Sequence, residues 1–239
     1  MSGETVVKSD GTLNQRETVA VRVWDLPTRI FHWGLAICVF ASLSSAWIGG
    51  NAMAWHLRFG YVVLALLLFR LLWGFFGGHW SRFASFTYSP QASLRYLRGR
   101  SRPEEHHHVG HNPLGSFSVF ALLAMLALQV ASGLFADDEI STTGPLNTLV
   151  SGATAARLTR WHAVFGQWAV IALVALHIGA VVFYLVRHKN DLVRPMLSGN
   201  KRLTADVPAS VDNLGTRLLA LALFAASAGR ATWLVTLAD

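Results

Sequence analysis

The chain has 239 residues, 53% of them hydrophobic and only 14% charged, with a mean hydropathy of +0.40 and a formal net charge of +7. So apolar a balance excludes an ordinary soluble domain and indicates the membrane class. The basic pI near 10.3 would suit nucleic acid, but the positive residues lie where membrane topology would place them, so nucleic acid is not implied as a partner.

Residues 1–21 read as a mobile cytoplasmic tail without the apolar core of a signal peptide, so the first span is expected to stay as an uncleaved anchor. Ile30 to Leu57 contains no Asp, Glu, Lys or Arg. The first span is placed at about 29–48, with Pro27 near its start, and Gly49, Gly50 and Asn51 form an outer turn. The second span is placed at about 55–76, and Phe59 to Trp80 is interrupted only by Arg70. The basic loop from Gly77 to Asn112 holds a short interfacial helix over Gln91 to Arg98, carrying Leu94, Tyr96 and Leu97. Its His106, His107 and His108 read as a solvated polar tract rather than a metal site.

Pro113 and Gly115 open the third span, about 113–135, and Asp137 to Thr159 forms an outer loop. The fourth span is about 160–186, and Asp191 to Asn213 returns through the cytoplasmic side. Each of these four stretches is long enough for the ~20 residues that cross a ~30 Å hydrocarbon layer. Leu214 to Leu237 is read as a fifth span, with Arg230 snorkelling or meeting a polar partner; the alternative is an amphipathic surface helix. The expected fold is therefore an all-α membrane protein: a four-helix transmembrane bundle over 22–202, then a linker and a fifth C-terminal helix over 203–239. Lys and Arg concentrate on the tail, the Gly77–Asn112 loop and the Asp191–Asn213 segment, which sets the N-terminus in the cytoplasm of a multi-pass membrane protein.

The single cysteine, Cys38, allows no disulfide and no Cys-x-x-Cys-His attachment, so any haem is held non-covalently. The informative feature is His162 and His177, fifteen residues apart on Trp161 to Val186, a stretch free of Asp, Glu, Lys and Arg. A helix turns through four cycles plus about 60° over that interval and rises about 22 Å, so one helix offers two imidazoles at two depths. With the N-terminus inside, His32 lies near the cytoplasmic end of span one and His56 at the outer start of span two. Depth pairs His56 with His162 and His32 with His177. Two imidazoles can ligate haem iron, zinc or copper. A closed zinc site usually needs four ligands and the spans hold no carboxylate, whereas two axial ligands suffice for haem. Gly34, Ala36, Gly60, Gly166, Gly179 and Ala180 would give a flat macrocycle room, or serve helix packing.

Haem propionates call for cations. Arg58 and Arg160 lie two residues from His56 and His162, Arg29 one turn before His32, and Arg70 about 21 Å deeper than His56 on nearly the same face. Snorkelling is the competing reading for Arg29 and Arg70.

Several stretches resemble the bacterial cytochrome b561 and nickel–iron hydrogenase b-type cytochrome family. They are Val23-Trp24-Asp25, Arg29-Ile30-Phe31-His32-Trp33, Trp55-His56-Leu57, Gly60-Tyr61, Phe69-Arg70-Leu71-Leu72-Trp73-Gly74-Phe75 and Gly110-His111-Asn112-Pro113-Leu114-Gly115. Gly133-Leu134-Phe135, Leu176-His177 and Arg187-His188-Lys189-Asn190-Asp191-Leu192-Val193-Arg194 continue the pattern, over roughly residues 20 to 202. In relatives the two fourth-helix histidines are usually fourteen apart; the extra residue here alters ring orientation or implies a local π-bulge.

The resemblance implies two b-type haems and single-electron transfer between a periplasmic redox partner, a c-type cytochrome or hydrogenase-like enzyme, and membrane quinone as exchangeable partner. It places quinone near the inner haem, where His111 and Asn112 could bond a quinone carbonyl, although capping the third helix explains Asn112 almost as well. Asp137, Asp138 and Glu139 read as a solvated loop or a docking patch for a basic cytochrome. Homodimer formation is left open. Three other functions compete: a single-haem, quinone-linked superoxide oxidase using His32 and His177, a metal or proton transporter using the intramembrane histidines, and a structural anchor.

Overall fold

The computed structural model describes residues 18–100, 109–140, 142–204 and 207–236, and five of its helices are long and apolar enough to cross a membrane. Two are α1 (Leu26–Ile48) and α2 (Met53–Phe76). Two more are α4 (Pro113–Leu134) and a continuous run made of α5 (Gly152–Arg160), a π-helical turn (Trp161–Gly166) and α6 (Gln167–His188). The last is α8 (Leu214–Val235). Short helices α3 (Pro90–Leu97) and α7 (Val193–Ser198) lie in the connections. Strands β1 (Thr18–Arg22) and β2 (Asn200–Thr204) form a two-stranded antiparallel sheet. The tract His106 to His108 lies outside the described residues.

Helix starts follow local chemistry. Asp25 accepts the Thr28 N–H at 2.8 Å with Pro27 in the first turn of α1. Asn112 does the same for the Gly115 N–H at 2.8 Å ahead of Pro113. Asn213 and Thr216 exchange bonds in a capping box at the start of α8. Each satisfies amides that a helix N-terminus leaves without intrahelical acceptors, a need that becomes acute at a membrane boundary.

The most enclosed span is α2, which packs against α1 on one side and α8 on another and also reaches α4. Its buried residues Val63, Leu66, Phe69, Arg70 and Trp73 recur at three- and four-residue intervals, the stripe that a helix surrounded by neighbours requires. Phe31, Leu66, Phe69, Trp73 and Ala220 form one buried cluster. The small buried residues Ala220, Ser227 and Ala231 let α8 approach closely, the usual basis of helix association in lipid. On the other side of the bundle α4 pairs with α6.

The end of the bundle where α1 begins carries a polar cap. Its hub is Asp25, fully buried, which accepts from the Thr28 amide, Trp73 Nε1 (3.1 Å), the Gly78 amide (3.0 Å) and Ser81 Oγ (2.6 Å). Gly78 is required by this approach, since a Cβ there would stand 2.5 Å from Asp25 Oδ2. Around the hub, Val21, Val23, Trp24, Trp80, Val109 and Leu203 form a second buried cluster. Asp212 joins Arg22 (3.3 Å) to Arg217 (2.9 Å). Burial pushes its carboxyl up, but the bond from Arg217 and the charges of Arg217 and Arg22 outweigh that and hold it below the usual range. Thr18 to Val21, which the sequence reading places in the mobile tail, instead form most of β1, because their partner strand arrives only after the fourth span.

Candidate functional site

All four intramembrane histidines point inward and meet in two pairs. The rings of His56 and His162 have centroids 5.8 Å apart at 82°, at the end of the bundle far from the cap. Those of His32 and His177 are 6.4 Å apart at 52°, near the cap end. A metal ion about 2 Å from one nitrogen of each ring sets imidazole centroids roughly 6 Å apart, so both gaps have the width of a two-coordinate axial site. Among the described residues no group of three or more His, Cys, Asp or Glu gathers elsewhere or here, so neither pair has further protein ligands.

The far-end pair is held by its neighbours. His56 Nδ1 lies 2.9 Å from the Ser42 carbonyl and 3.1 Å from Ser42 Oγ; His162 Nδ1 lies 2.8 Å from the Gln129 carbonyl and 3.3 Å from Ser132 Oγ. A ring nitrogen facing a carbonyl must carry the proton, which leaves Nε2 of each ring as the free ligand atom. A cleft of about 1080 Å³, its open mouth included, runs beside both rings and is lined by Val39, Gly60, Leu126, Val130, Gly133 and Ala163 among others. Such space between apolar walls fits a flat macrocycle, and a Cβ on Gly133 would stand 2.8 Å from His162 Cε1.

The fourth span contains the π-helical turn that a fifteen-residue interval permits, with His162 as its second residue. A π turn absorbs one extra residue, so the two histidines are related as if about fourteen apart, with an angular offset of about 40° instead of about 60°. Both rings therefore face the same side.

The cap-end pair is built differently. Neither ring has a hydrogen-bond partner among the described residues, and His32 Nδ1 is shielded from solvent. Arg70 is buried close by, donating to the Ser81 carbonyl at 3.0 Å, with its guanidinium 4.7 Å from the Phe83 ring centre and one Nη unpartnered. His111 is wedged between Trp24 (4.7 Å) and Phe86 (4.8 Å) with Nδ1 unpartnered. Burial, then the charge of Arg70, pushes its imidazole down to about 3, so it is neutral at physiological pH. These orphaned nitrogens of Arg70, His32 and His111 suit a buried site for an anionic, flat ligand.

Other residues singled out from the sequence have different surroundings. Arg29 donates to the Leu197 carbonyl at the cap, the snorkelling arrangement. Arg58 is exposed over Trp55, Arg160 is exposed at the end of α5, and neither lines the cleft. Asn112 spends its oxygen on the α4 cap and donates its amide to Tyr184 Oη at 2.8 Å, which also bonds Tyr96 Oη at 2.8 Å. Asp137 and Asp138 fold the 137–143 loop through bonds to Glu139, Ile140 and Thr142 amides. Gly34, Gly60 and Gly179 have no neighbour closer than 3.9 Å at the Cβ position.

Sequence reasoning missed Gln129, Ser132, Ser42 and the role of Asp25. Gln129 had a legible signal, as the one amide side chain within the third span, where an unpartnered amide is costly.

Paired histidines at two levels of an apolar helical bundle have the geometry that a membrane cytochrome of the b type requires. The chain belongs to the prokaryotic cytochrome b561 family, which matches residues 23–199. It is similar to the probable Ni/Fe-hydrogenase B-type cytochrome subunit of Rhodobacter capsulatus, 27% identical over 80% of this chain and 85% of that protein. The corresponding subunit of Bradyrhizobium diazoefficiens is 25% identical over 76% and 86%. That of Azotobacter vinelandii is 24% identical over 83% and 95%. No solved structure matches the chain. Electron transfer in the membrane is the class of activity this family supports, and α8 lies outside the matched residues.

Proposed function

We propose that the chain holds two haems b, one between His56 and His162 and one between His32 and His177, and passes electrons between a periplasmic redox partner and the membrane quinone pool. The observation that carries this reading is the assembly of two imidazole pairs with gaps of 5.8 and 6.4 Å at opposite ends of one bundle. Haem supplies the one-electron iron couple. The protein supplies axial nitrogens, an apolar wall and, at the cap end, the buried charge of Arg70, which favours the reduced, less positive state. Arg29, Arg58 and Arg160 are proposed as peripheral cations near propionates, with Arg70 the nearest to a buried site.

The cap end faces the cytoplasm on the Lys/Arg bias, so the far-end pair receives or delivers electrons at the periplasmic side. The hydrogenase association in the relatives' names makes a hydrogenase-like enzyme the leading partner, with a c-type cytochrome the other. Quinone is proposed to react at the cap end, near His111 and the Tyr96–Tyr184–Asn112 group. A single-haem superoxide oxidase would leave the far-end pair without a role, although that pair is the better tethered.

Haem extraction from the purified chain is expected to give two haems b per polypeptide. His162→Ala is expected to retain one, with the remaining haem lost in His32→Ala. One haem in the unaltered protein, or two in His162→Ala, rejects the assignment.

A further inference from the structure

The π turn raises a question that the ligand pairs do not answer: what holds it in register? We infer that Gln129 is a positioning residue for His162, gripping it from two sides and fixing the angle of its ring against that of His56; this rests on the di-haem reading above.

Two bonds of opposite sense join the residues. The main-chain carbonyl of Gln129 accepts from His162 Nδ1 at 2.8 Å, and the side-chain Nε2 of Gln129 donates to the main-chain carbonyl of His162 at 3.0 Å. That second carbonyl is also the acceptor of the π turn, taking the Gln167 N–H. One residue of α4 therefore holds both the ring and the backbone that bears it, which removes rotation about the side chain and sliding of the turn together.

Both helices are trimmed for this contact. A Cβ on Gly166 would come within 1.9 Å of Gln129 Oε1, and one on Gly133 within 2.8 Å of His162 Cε1. The amide has only one workable orientation, since the reverse would set Oε1 against the His162 carbonyl oxygen. Gln129 Oε1 accordingly has no partner and is shielded from solvent. A buried polar atom left unmatched is tolerated where the other half of the group does something specific. His56 shows the contrast: it bonds Ser42 through its ring alone, and α2 continues through it as regular helix.

The test reads the ferric low-spin electron paramagnetic resonance signals of detergent-purified full-length protein. Their anisotropy reports the angle between axial imidazole planes, here 82° at the far end. In Gln129→Leu the far-end signal is expected to broaden and move to lower g as His162 is released from the near-perpendicular arrangement, while the cap-end signal stays unchanged. Gly166→Ala, which displaces the amide without deleting it, is expected to shift the same signal in the same direction. Selective loss of the far-end haem in either variant also supports the inference. Two haems with both signals unchanged in both variants overturns it, as does a change shared equally by both signals. Absence of a second haem from the unaltered protein overturns the di-haem reading itself, and this inference with it.

Discussion

The two histidine pairs use the same residue type in the same bundle, yet their surroundings are opposite. At the far end both rings are tied through Nδ1 to carbonyls of Ser42 and Gln129, and a cleft lies beside them. At the cap end neither ring is tied among the described residues, and the polar groups nearby, Arg70 and His111, have unused nitrogens. The protein thus fixes ligand orientation at one site and local charge at the other. Orientation governs spectrum and ligand strength, whereas charge governs potential, so on the proposed di-haem reading one bundle would tune two chemically identical cofactors apart.

The comparison breaks most completely if the pairs prove dependent on one another. Replacement of His177 by Ala should remove the cap-end haem and leave the far-end spectrum intact, giving half the haem per chain by pyridine haemochrome; loss of both would mean a single shared site. Next in size is Asp25→Ala, which removes an acceptor shared by four donors in the buried cap, of which Trp73 Nε1 keeps its 3.1 Å bond to Thr28 Oγ1. A cost on the order of 3 kcal/mol or more is expected, measured as a lower unfolding temperature in detergent, with the cap-end haem released first.

A smaller and more selective change is Arg70→Met. Removing a buried positive charge should lower the midpoint potential of the cap-end haem, and potentiometric titration should show the far-end haem within error of its original value; equal shifts would refute the division of labour. Smallest is Ser42→Ala, which deletes the 3.1 Å contact to His56 but keeps the 2.9 Å carbonyl bond. About 0.5–1.5 kcal/mol of weakened far-end haem retention is expected, read from the rate of haem transfer to apomyoglobin.

Hydropathy made the spans legible because lipid imposes length and apolarity on each segment separately. Pairing by depth was legible for the same reason: helix rise converts sequence position into height, so His56 and His162 had to lie level, as did His32 and His177. Even the π turn left a trace, in an interval of fifteen. What stayed hidden depended on contacts between distant parts of the chain. Thr18 to Arg22 become a strand only because Asn200 to Thr204 come alongside, and no local pattern encodes that meeting. Arg29 and Arg70 looked alike as cations near a haem level, but Arg29 reaches back to Leu197 and Arg70 is caged by Phe83 and Ser81. Asn112 could serve a ligand or a cap from its sequence position; its oxygen caps α4 at the Gly115 amide while its side-chain amide turns to Tyr184.

The packing of α8 on α2 bears on the order of synthesis. Phe31, Leu66, Phe69 and Trp73 leave the ribosome early, but the cluster is closed by Ala220, near the end of the chain. Domains built N-terminus first ordinarily bury their early segments as they go. Here the central helix keeps one flank open to lipid, or to a chaperone, until the last span is inserted, and β1 waits equally long for β2. A ribosome stalled before Leu214 would therefore hold all four histidines in an unfinished bundle.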